Sequence, residues 1–394
     1  MSLSRISPAG PRTHVLEIAG NGIIGGMEIS LLRLAQWLPR ERFALTVLCP
    51  FEGPLTQRLR RLGIEVFIAP MPAEEASWAA VQVARSLVQS RDVHVLHAHL
   101  GNAHLLAGLT GALTRRPVLA TVHGRNVTLL DLEVQRAAGT HLHLVSRQAH
   151  LHALGLGVAA TSLHHIGNGV DVEEFAPRTM SAHPLRERLG IARNAPLVGF
   201  VGRLSWEKAP DVLLRAAALL SARHPDARFV FVGDGPMEKE LRLLATQLGL
   251  TDRVFFAGLQ QDVASIYAQL DVLTCPSHQE AMPLVVLEAM ASGIAVVATQ
   301  VGSVADLVQH SLTGWLVPPD DPRQLADRLA TLLADPPLRE QMGAAARLAA
   351  VERFSLADRL EAQGRLLTQL ARAPTEAERT VDGTAAVERE RATP

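Results

Sequence analysis

Apolar residues run along the chain in short blocks that alternate between two periods. Residues 13–19 (THVLEIA) form a compact apolar run, and 20–26 form a glycine-rich turn. From Met27 to Leu38 the apolar positions Ile29, Leu31, Leu32, Leu34, Ala35 and Leu38 recur at helical spacing. The same alternation repeats, with strands predicted at 43–48, 65–69, 93–97, 117–122 and 142–146. Helices are predicted between them at 55–62, 77–89, 102–114 and 128–138, with another behind the last strand. Strand followed by helix, many times over, predicts a parallel sheet covered on both faces.

The turn Asn168-Gly169 ends this series, and polar, proline-containing sequence over 172–196 predicts a link between domains. A second series follows. Strands are predicted at 197–201, 228–232, 254–257, 272–275, 295–298 and 314–317. The helices are expected at 209–223, 236–248, 262–269, 284–291 and 303–309, then 322–334, 337–353 and 355–372. Residues 373–394 are charged and rich in Ala and Thr, which predicts a disordered tail.

Composition changes this picture little. The 394 residues suit two domains, and 48% hydrophobic with 20% charged residues is ordinary for a large core. A net charge of −1 gives no global attraction for nucleic acid. Cys49 and Cys275 are the only cysteines and stand far apart, so neither a disulfide framework nor a thiolate metal site follows. The N-terminus has no apolar secretory segment, and no apolar run approaches the ~20 residues that span a bilayer. A cytoplasmic protein is expected, with peripheral contact at the inner face of the membrane left open.

The chemistry concentrates in 277–293 (SHQEAMPLVVLEAMASG). Glu280 and Glu288 flank and enter an apolar run where an unpaired charge is costly. A hydroxyl-rich ligand would compensate it. Pro283 opens the helix there and has no N–H, which leaves Leu284 and Val285 as backbone donors at its positive end. After the strand at 197–201, Arg203 and Lys208 can point at one anion. Lys208 and Lys239 are the only lysines, which makes a solvated pair a weaker explanation. The turn Gly233–Pro236 is read as structural.

Gly20, Gly22 and Gly25 match G-x-G-x-x-G, but the strand at 43–48 ends in Cys49-Pro50 without the acid that holds a ribose. Three readings stand: a dinucleotide site, a plain tight turn, or Gly25 and Gly26 opening the helix to a phosphate. His97 and His99 share one strand face, yet no acid or cysteine keeps metal-ligand spacing with them, and no metal site is expected. His123, directly after a strand, is the better functional candidate, beside the plain reading of a hydrogen-bonded turn histidine. The arginines of 55–62 read as a solvated face, with anionic lipid as the alternative.

Taken in series, these motifs resemble glycosyltransferase family 4, retaining sugar-nucleotide transferases of the GT-B fold. The resemblance rests on Glu280-x7-Glu288 with Ala289-Met290-Ala291-Ser292-Gly293 after it. VGRL…EK (Val201–Lys208), GDGP, Asn168–Asp171 with Phe175 and Pro177, and GWLVPPDD agree in order and spacing. It covers nearly the whole chain apart from the tail. The chain departs from the family pattern at Ala281-Met282, where Gly-Phe is usual, at Ala295, where proline is common, and at Gly302–Asp306, where Gly-Gly-x-x-Glu is usual.

The resemblance implies two Rossmann-like domains facing a central cleft. These are an acceptor-side domain over 1–177, with 355–372 packing back on it, and a sugar-nucleotide-binding domain over 178–354. It implies that Arg203 and Lys208 hold the donor diphosphate near Gly25 and Gly26. Glu288 would bind ribose, Glu280 the transferred sugar, and His123 the sugar hydroxyls beside the reacting centre. The donor would be a UDP- or GDP-sugar, used without a metal ion, and the acceptor a glycan or lipid-linked hydroxyl. Domain closure would exclude water. Two other classes remain as alternatives: an NAD(P)-dependent oxidoreductase using Gly20–Gly25, and a non-catalytic sugar-nucleotide-binding protein.

Overall fold

A computed structural model describes residues 12–71, 77–178 and 183–372. The tail expected at 373–394 lies outside the described residues. The chain divides into two compact units.

The first unit takes in residues through Val145, Ala149–Ile166 and the chain from Leu360 on. Its strands are β1 (Thr13–Ala19), β2 (Phe43–Cys49), β3 (Glu65–Ile68) and β4 (Val95–His99), then β5 (Val118–Val122), β6 (His141–Leu144) and β7 (Leu163–His165). They form one sheet in the order β3-β2-β1-β4-β5-β6-β7, every pairing parallel. Residues Leu360, Leu366, Leu367 and Leu370 of the last helix (Leu356–Arg372) are buried, and Gly364 lets it sit within van der Waals reach of Leu38 and Phe43.

The second unit runs mainly from Gly167 to Arg359. Its strands are β8 (Leu197–Val201), β9 (Arg228–Val232), β10 (Val254–Gly258), β11 (Val272–Cys275), β12 (Ala295–Thr299) and β13 (Trp315–Val317). The order is β10-β9-β8-β11-β12-β13, again wholly parallel. Alternate residues of one strand feed different cores. Leu197, Val230, Leu273 and Val296 join one cluster, while Val198, Phe229, Val272 and Val297 join another. A period of two with apolar side chains at both phases means that both faces of this sheet are buried.

Two elements depart from the sequence expectation. Strand β7 extends the first sheet past the point where the pattern ended, because His164 and His165 carry no apolar signal. The polar link also contains a short helix, Pro184–Leu189, stopped by left-handed Gly190. Its buried Arg186 explains why so charged a stretch folds. The guanidinium donates to the carbonyls of Gln269, Ala192 and Ala195 and pairs with Asp271 at 3.1 Å.

In both sheets the strand order reverses once, at β1/β4 and at β8/β11. In open parallel sheets, ligands bind outside the carboxyl ends of the strands at such a reversal point.

Candidate active site

In the second unit, the loops after β8 and β11 flank the reversal point and meet directly. Lys208 Nζ donates to both carboxylate oxygens of Glu280, each at 2.8 Å. Ser277 Oγ donates to Glu280 Oε1, also at 2.8 Å. The Glu280 carboxylate is buried, while Lys208 keeps about a third of its side chain in solvent (31% against 5%). Burial disfavours the lysine charge, but the Glu280 carboxylate outweighs that and holds the lysine pKa above its ordinary value. Arg203, on the same loop, is exposed and makes no ion pair among the described residues. An exposed guanidinium that makes no ion pair can reach an anion.

Backbone contacts fix both loops. Leu204 N–H donates to the Asp234 carbonyl at 2.7 Å, and His278 and Gln279 N–H both donate to the Glu207 carbonyl. A Cβ at Gly233 would collide with the Gly202 carbonyl, so the GDGP turn is the close-packed support of the β8 loop. Ala209 adopts a left-handed conformation (φ +48°), which ends the turn carrying Lys208 and starts the helix Pro210–Leu220. Such a backbone costs a non-glycine residue about 1 kcal/mol and persists where surroundings over-determine it.

The Glu280 loop is clamped from the β12 side as well. Thr299 Oγ1 donates to the Ser277 carbonyl at 2.6 Å, and Ser303 N–H to the Ala281 carbonyl at 2.9 Å. Gly302 (φ +54°) lies so close that any Cβ would strike the Glu280 carbonyl. Asn168 holds the far side, donating its side-chain N–H to the Met282 carbonyl (2.8 Å) and its backbone N–H to Met282 Sδ (3.1 Å). Met282 is therefore a core side chain, and only Ala281 of that departing pair is partly open. Below the loop, burial and the nearby Glu280 charge push the Cys275 thiol up to about 12. Burial puts Cys49 in the first unit at about 12 too.

The helix Leu284–Ala291 starts where Pro283 ends the loop. Leu284 and Val285 are partly exposed at its first turn, where N–H groups have no intrahelical partner. Glu288 is buried one turn on and accepts a hydrogen bond from Tyr267 Oη at 3.0 Å.

In the first unit, strand register assembles a different polar site. Parallel pairing sets Glu17 level with His97, His99 with Thr121, and Thr121 with His143. All five side chains are buried. Glu17 Oε1 contacts His97 Nδ1 at 3.0 Å, and Oε2 contacts His99 Nε2 at 2.9 Å. His97 Nε2 continues to Thr121 Oγ1 (2.7 Å), which meets His143 Nδ1 (2.9 Å). His143 Nε2 ends on the Ile166 carbonyl at 2.9 Å, and His99 Nδ1 reaches His123 Nε2 at 3.1 Å. Burial disfavours the Glu17 charge, yet His97 and then His99 bring its pKa down to about 2. Desolvation lowers His99, takes His143 to about 3, and sets His123 well below its ordinary value.

Glu17 corrects the expectation that His97 and His99 lack an acidic neighbour. The carboxylate comes from another strand, so no local spacing could reveal it. Ligand atoms of the three residues lie within 4.8 Å of one another. Glu17 already hydrogen-bonds both imidazoles, and a metal ion there would have to replace those protons.

The glycine-rich loop after β1 is held by close packing. A Cβ at Gly20 would collide with the Asn102 amide, and one at Gly22 would sit 2.9 Å from the Phe51 ring. These two glycines are explained without a dinucleotide. Gly25 caps the helix Gly26–Trp37, and its N–H donates to Glu28 Oε2 at 2.9 Å. The buried Glu28 carboxyl, its pKa raised by desolvation, thus already engages the donor at Gly25.

Residues 24–174 match the family model described as Glycosyltransferase Family 4, and 182–349 match that described as Glycosyl transferases group 1. A D-inositol 3-phosphate glycosyltransferase of Kribbella flavida is 30% identical over 390 residues, spanning 87% of this chain and 91% of that protein. The chain belongs to glycosyltransferase family 4. An Escherichia coli relative named UDP-Gal:alpha-D-GlcNAc-diphosphoundecaprenol alpha-1,3-galactosyltransferase is 27% identical over 76% of this chain and 82% of its own. In fold, this glycosyltransferase resembles Anabaena HepE crystallised with UDP-glucose (TM-score 0.82, 24% identity, 91% of this chain and 100% of that one). It is thus a glycosyltransferase of GT-B type. Among its described residues no helix is long and apolar enough to cross a membrane.

Of the residues singled out from sequence, the structure joins Lys208 to Glu280 and keeps Arg203 on the same loop. Glu288 lies on the helix that follows, and His123 ends the histidine chain. Sequence reasoning missed Glu17, Thr121, His143, Ser277, Tyr267 and Glu28. Only Glu28, placed three residues after a glycine at a helix start, carried a local signal.

Proposed function

We propose that this enzyme moves a sugar from a nucleoside diphosphate sugar to a hydroxyl acceptor with retention of anomeric configuration. The observation that carries the reading is the Lys208–Glu280 pair at the β8/β11 reversal point, with unpaired Arg203 on the same loop. Two cations and the first N–H groups of the helix Leu284–Ala291 suit a diphosphate, with Pro283 setting where that helix begins. The C1–O bond to the β-phosphate breaks, and the diphosphate leaves with the electron pair. An acceptor hydroxyl attacks C1 from the same face and gives its proton to the departing phosphate oxygen. Charge develops on the diphosphate, so preplaced cations there lower the barrier most. They take the part a divalent ion would otherwise play, and transfer is expected to persist in EDTA.

Glu288 is assigned to the ribose hydroxyls and Glu280 to the transferred sugar, with Lys208 fixing that carboxylate through two hydrogen bonds. His123 is assigned to a sugar hydroxyl. Gly25 and Gly26 are assigned to the diphosphate, through Gly26 and the N–H groups after it. The relatives' names point to UDP-linked donors first, and to a glycolipid or sugar phosphate acceptor in bacterial glycan assembly. Peripheral attachment to the inner face of the membrane goes with a lipid-linked acceptor.

Thermal shift against UDP-, GDP- and ADP-sugars tests this. One nucleotide series should stabilise the protein, and Glu288→Ala should abolish the shift given by that nucleoside diphosphate alone. An unchanged shift in Glu288→Ala, or stabilisation by NAD instead, overturns the assignment.

A further inference from the structure

The histidine chain of the first unit carries more information than its distances, because each bond in it needs one proton. The Ile166 carbonyl can only accept, so His143 Nε2 carries a proton. His143 is neutral, so its Nδ1 is bare and takes the Thr121 hydroxyl proton. Thr121 has no second proton, so His97 Nε2 must donate to Thr121 Oγ1. His97 Nδ1 faces the ionised Glu17 carboxylate and donates as well, so His97 carries both ring protons and balances the glutamate charge.

The other oxygen of Glu17 accepts from His99 Nε2–H. His99 is neutral, which leaves its Nδ1 bare. His123 Nε2 must then carry the proton that completes the last bond at 3.1 Å.

We propose that the chain Glu17–His99–His123, anchored through His97, Thr121 and His143 at the Ile166 carbonyl, locks His123 in the Nε2–H tautomer. Its Nδ1 is thereby kept as a hydrogen-bond acceptor for a substrate hydroxyl. Glu17 and His99 are positioning residues, acting through His123. The inference deepens the transfer reaction proposed above and rests on His123 serving that reaction, whereas the tautomer itself is a property of the free protein.

The test is long-range proton–nitrogen correlation NMR on the full chain labelled in its histidine rings, without donor, with His123→Gln used to assign the His123 signals. A pyrrole-like Nε2 and a pyridine-like Nδ1 are expected for His123. In His99→Phe that single tautomer should give way to a mixture, and kcat should fall about fivefold to tenfold with donor KM within about twofold. Glu17→Gln should preserve the tautomer. Its amide oxygen accepts from His99 while its NH2 donates to a His97 that has shed one proton. Glu17→Leu should lose it. A wild-type His123 protonated on Nδ1, or an unaltered tautomer in a folded His99→Phe, overturns the proposal. Loss of the tautomer in Glu17→Gln would do the same. Absence of transfer from every sugar nucleotide would instead strike the reaction assigned to the enzyme and leave the NMR result to be read separately.

Discussion

In the first unit the central buried acid is Glu17, wrapped by two imidazoles, and neither it nor His97 reaches solvent. In the second unit the corresponding acid is Glu280, held by an ammonium with a third of its surface exposed. Both acids stand where the strand order reverses, and both are fully hydrogen-bonded, as buried carboxylates must be. The means differ because the neighbours differ. Most of the 16 histidines lie in the first unit and both lysines in the second. An imidazole network can be sealed, since each ring has two nitrogens that pass hydrogen bonds onward without needing water. An ammonium has three donors, and Lys208 uses two of them on Glu280, so the open side is what a ligand can address. A closed network orders groups, and an open pair binds them.

The sharpest way to break this contrast is Lys208→Ala, which removes the open cation and strands Glu280. Transfer should fall roughly 100- to 1000-fold, the usual cost of removing one preplaced charge or donor. Steady-state kinetics within a few fold of wild type would refute the role given to this pair.

The two units should next separate by pH. His143, at about 3 in the fold against an ordinary 6.5, stays neutral while the unfolded chain takes up a proton. Its contribution is complete above about pH 6.5 and is lost as pH falls, about 3 kcal/mol by pH 4.5. Glu17, lowered to about 2, adds a further loss below its ordinary 4.5. Lys208 is raised above 10.5, so its contribution is intact below that value and lost as pH climbs past it. Hydrogen exchange should therefore show the first unit loosening in acid and the Lys208 loops loosening in alkali. Uniform loosening of both units in acid would count against the distinction.

Gly302→Ala probes the clamp. Its Cβ must displace the Glu280 carbonyl, and transfer should drop roughly 10- to 100-fold because a 1 Å misplacement is costly. Gly20→Ala meets the end of the Asn102 side chain, which can swing away, and the His99 carbonyl and Leu100 Cβ only at 2.9 Å, so it should be felt less in kinetics than Gly302→Ala. The smallest effect is expected for Tyr267→Phe. One hydrogen bond to Glu288 is lost, and donor KM should rise about fivefold with kcat nearly unchanged.

The alternating pattern made the tandem sheets and most of their strands legible, because apolar blocks of the right length need no tertiary knowledge. Strand β7 failed that test, since a three-residue strand bearing two histidines shows no hydrophobic period. The helix Pro184–Leu189 was legible in principle from its leading proline and trailing glycine, but charge hid it, and only the fold reveals that Arg186 is buried. In the site, Glu280, Lys208 and Arg203 stood out as residues out of place. Their direct pairing did not, as it joins loops 72 positions apart. Glu17 was invisible for the same reason, being set beside His97 by strand register across 80 residues.

The two cysteines have a practical consequence. Both are free, buried and shifted to about 12, so neither offers a thiolate to a maleimide at neutral pH. The native chain should therefore be silent to such reagents without any cysteine being removed. Leu129 in the first unit and Leu259 in the second are both more than two-thirds exposed. A cysteine placed at either position would be the only one to take a fluorophore, whose emission would report on sugar-nucleotide binding to that unit.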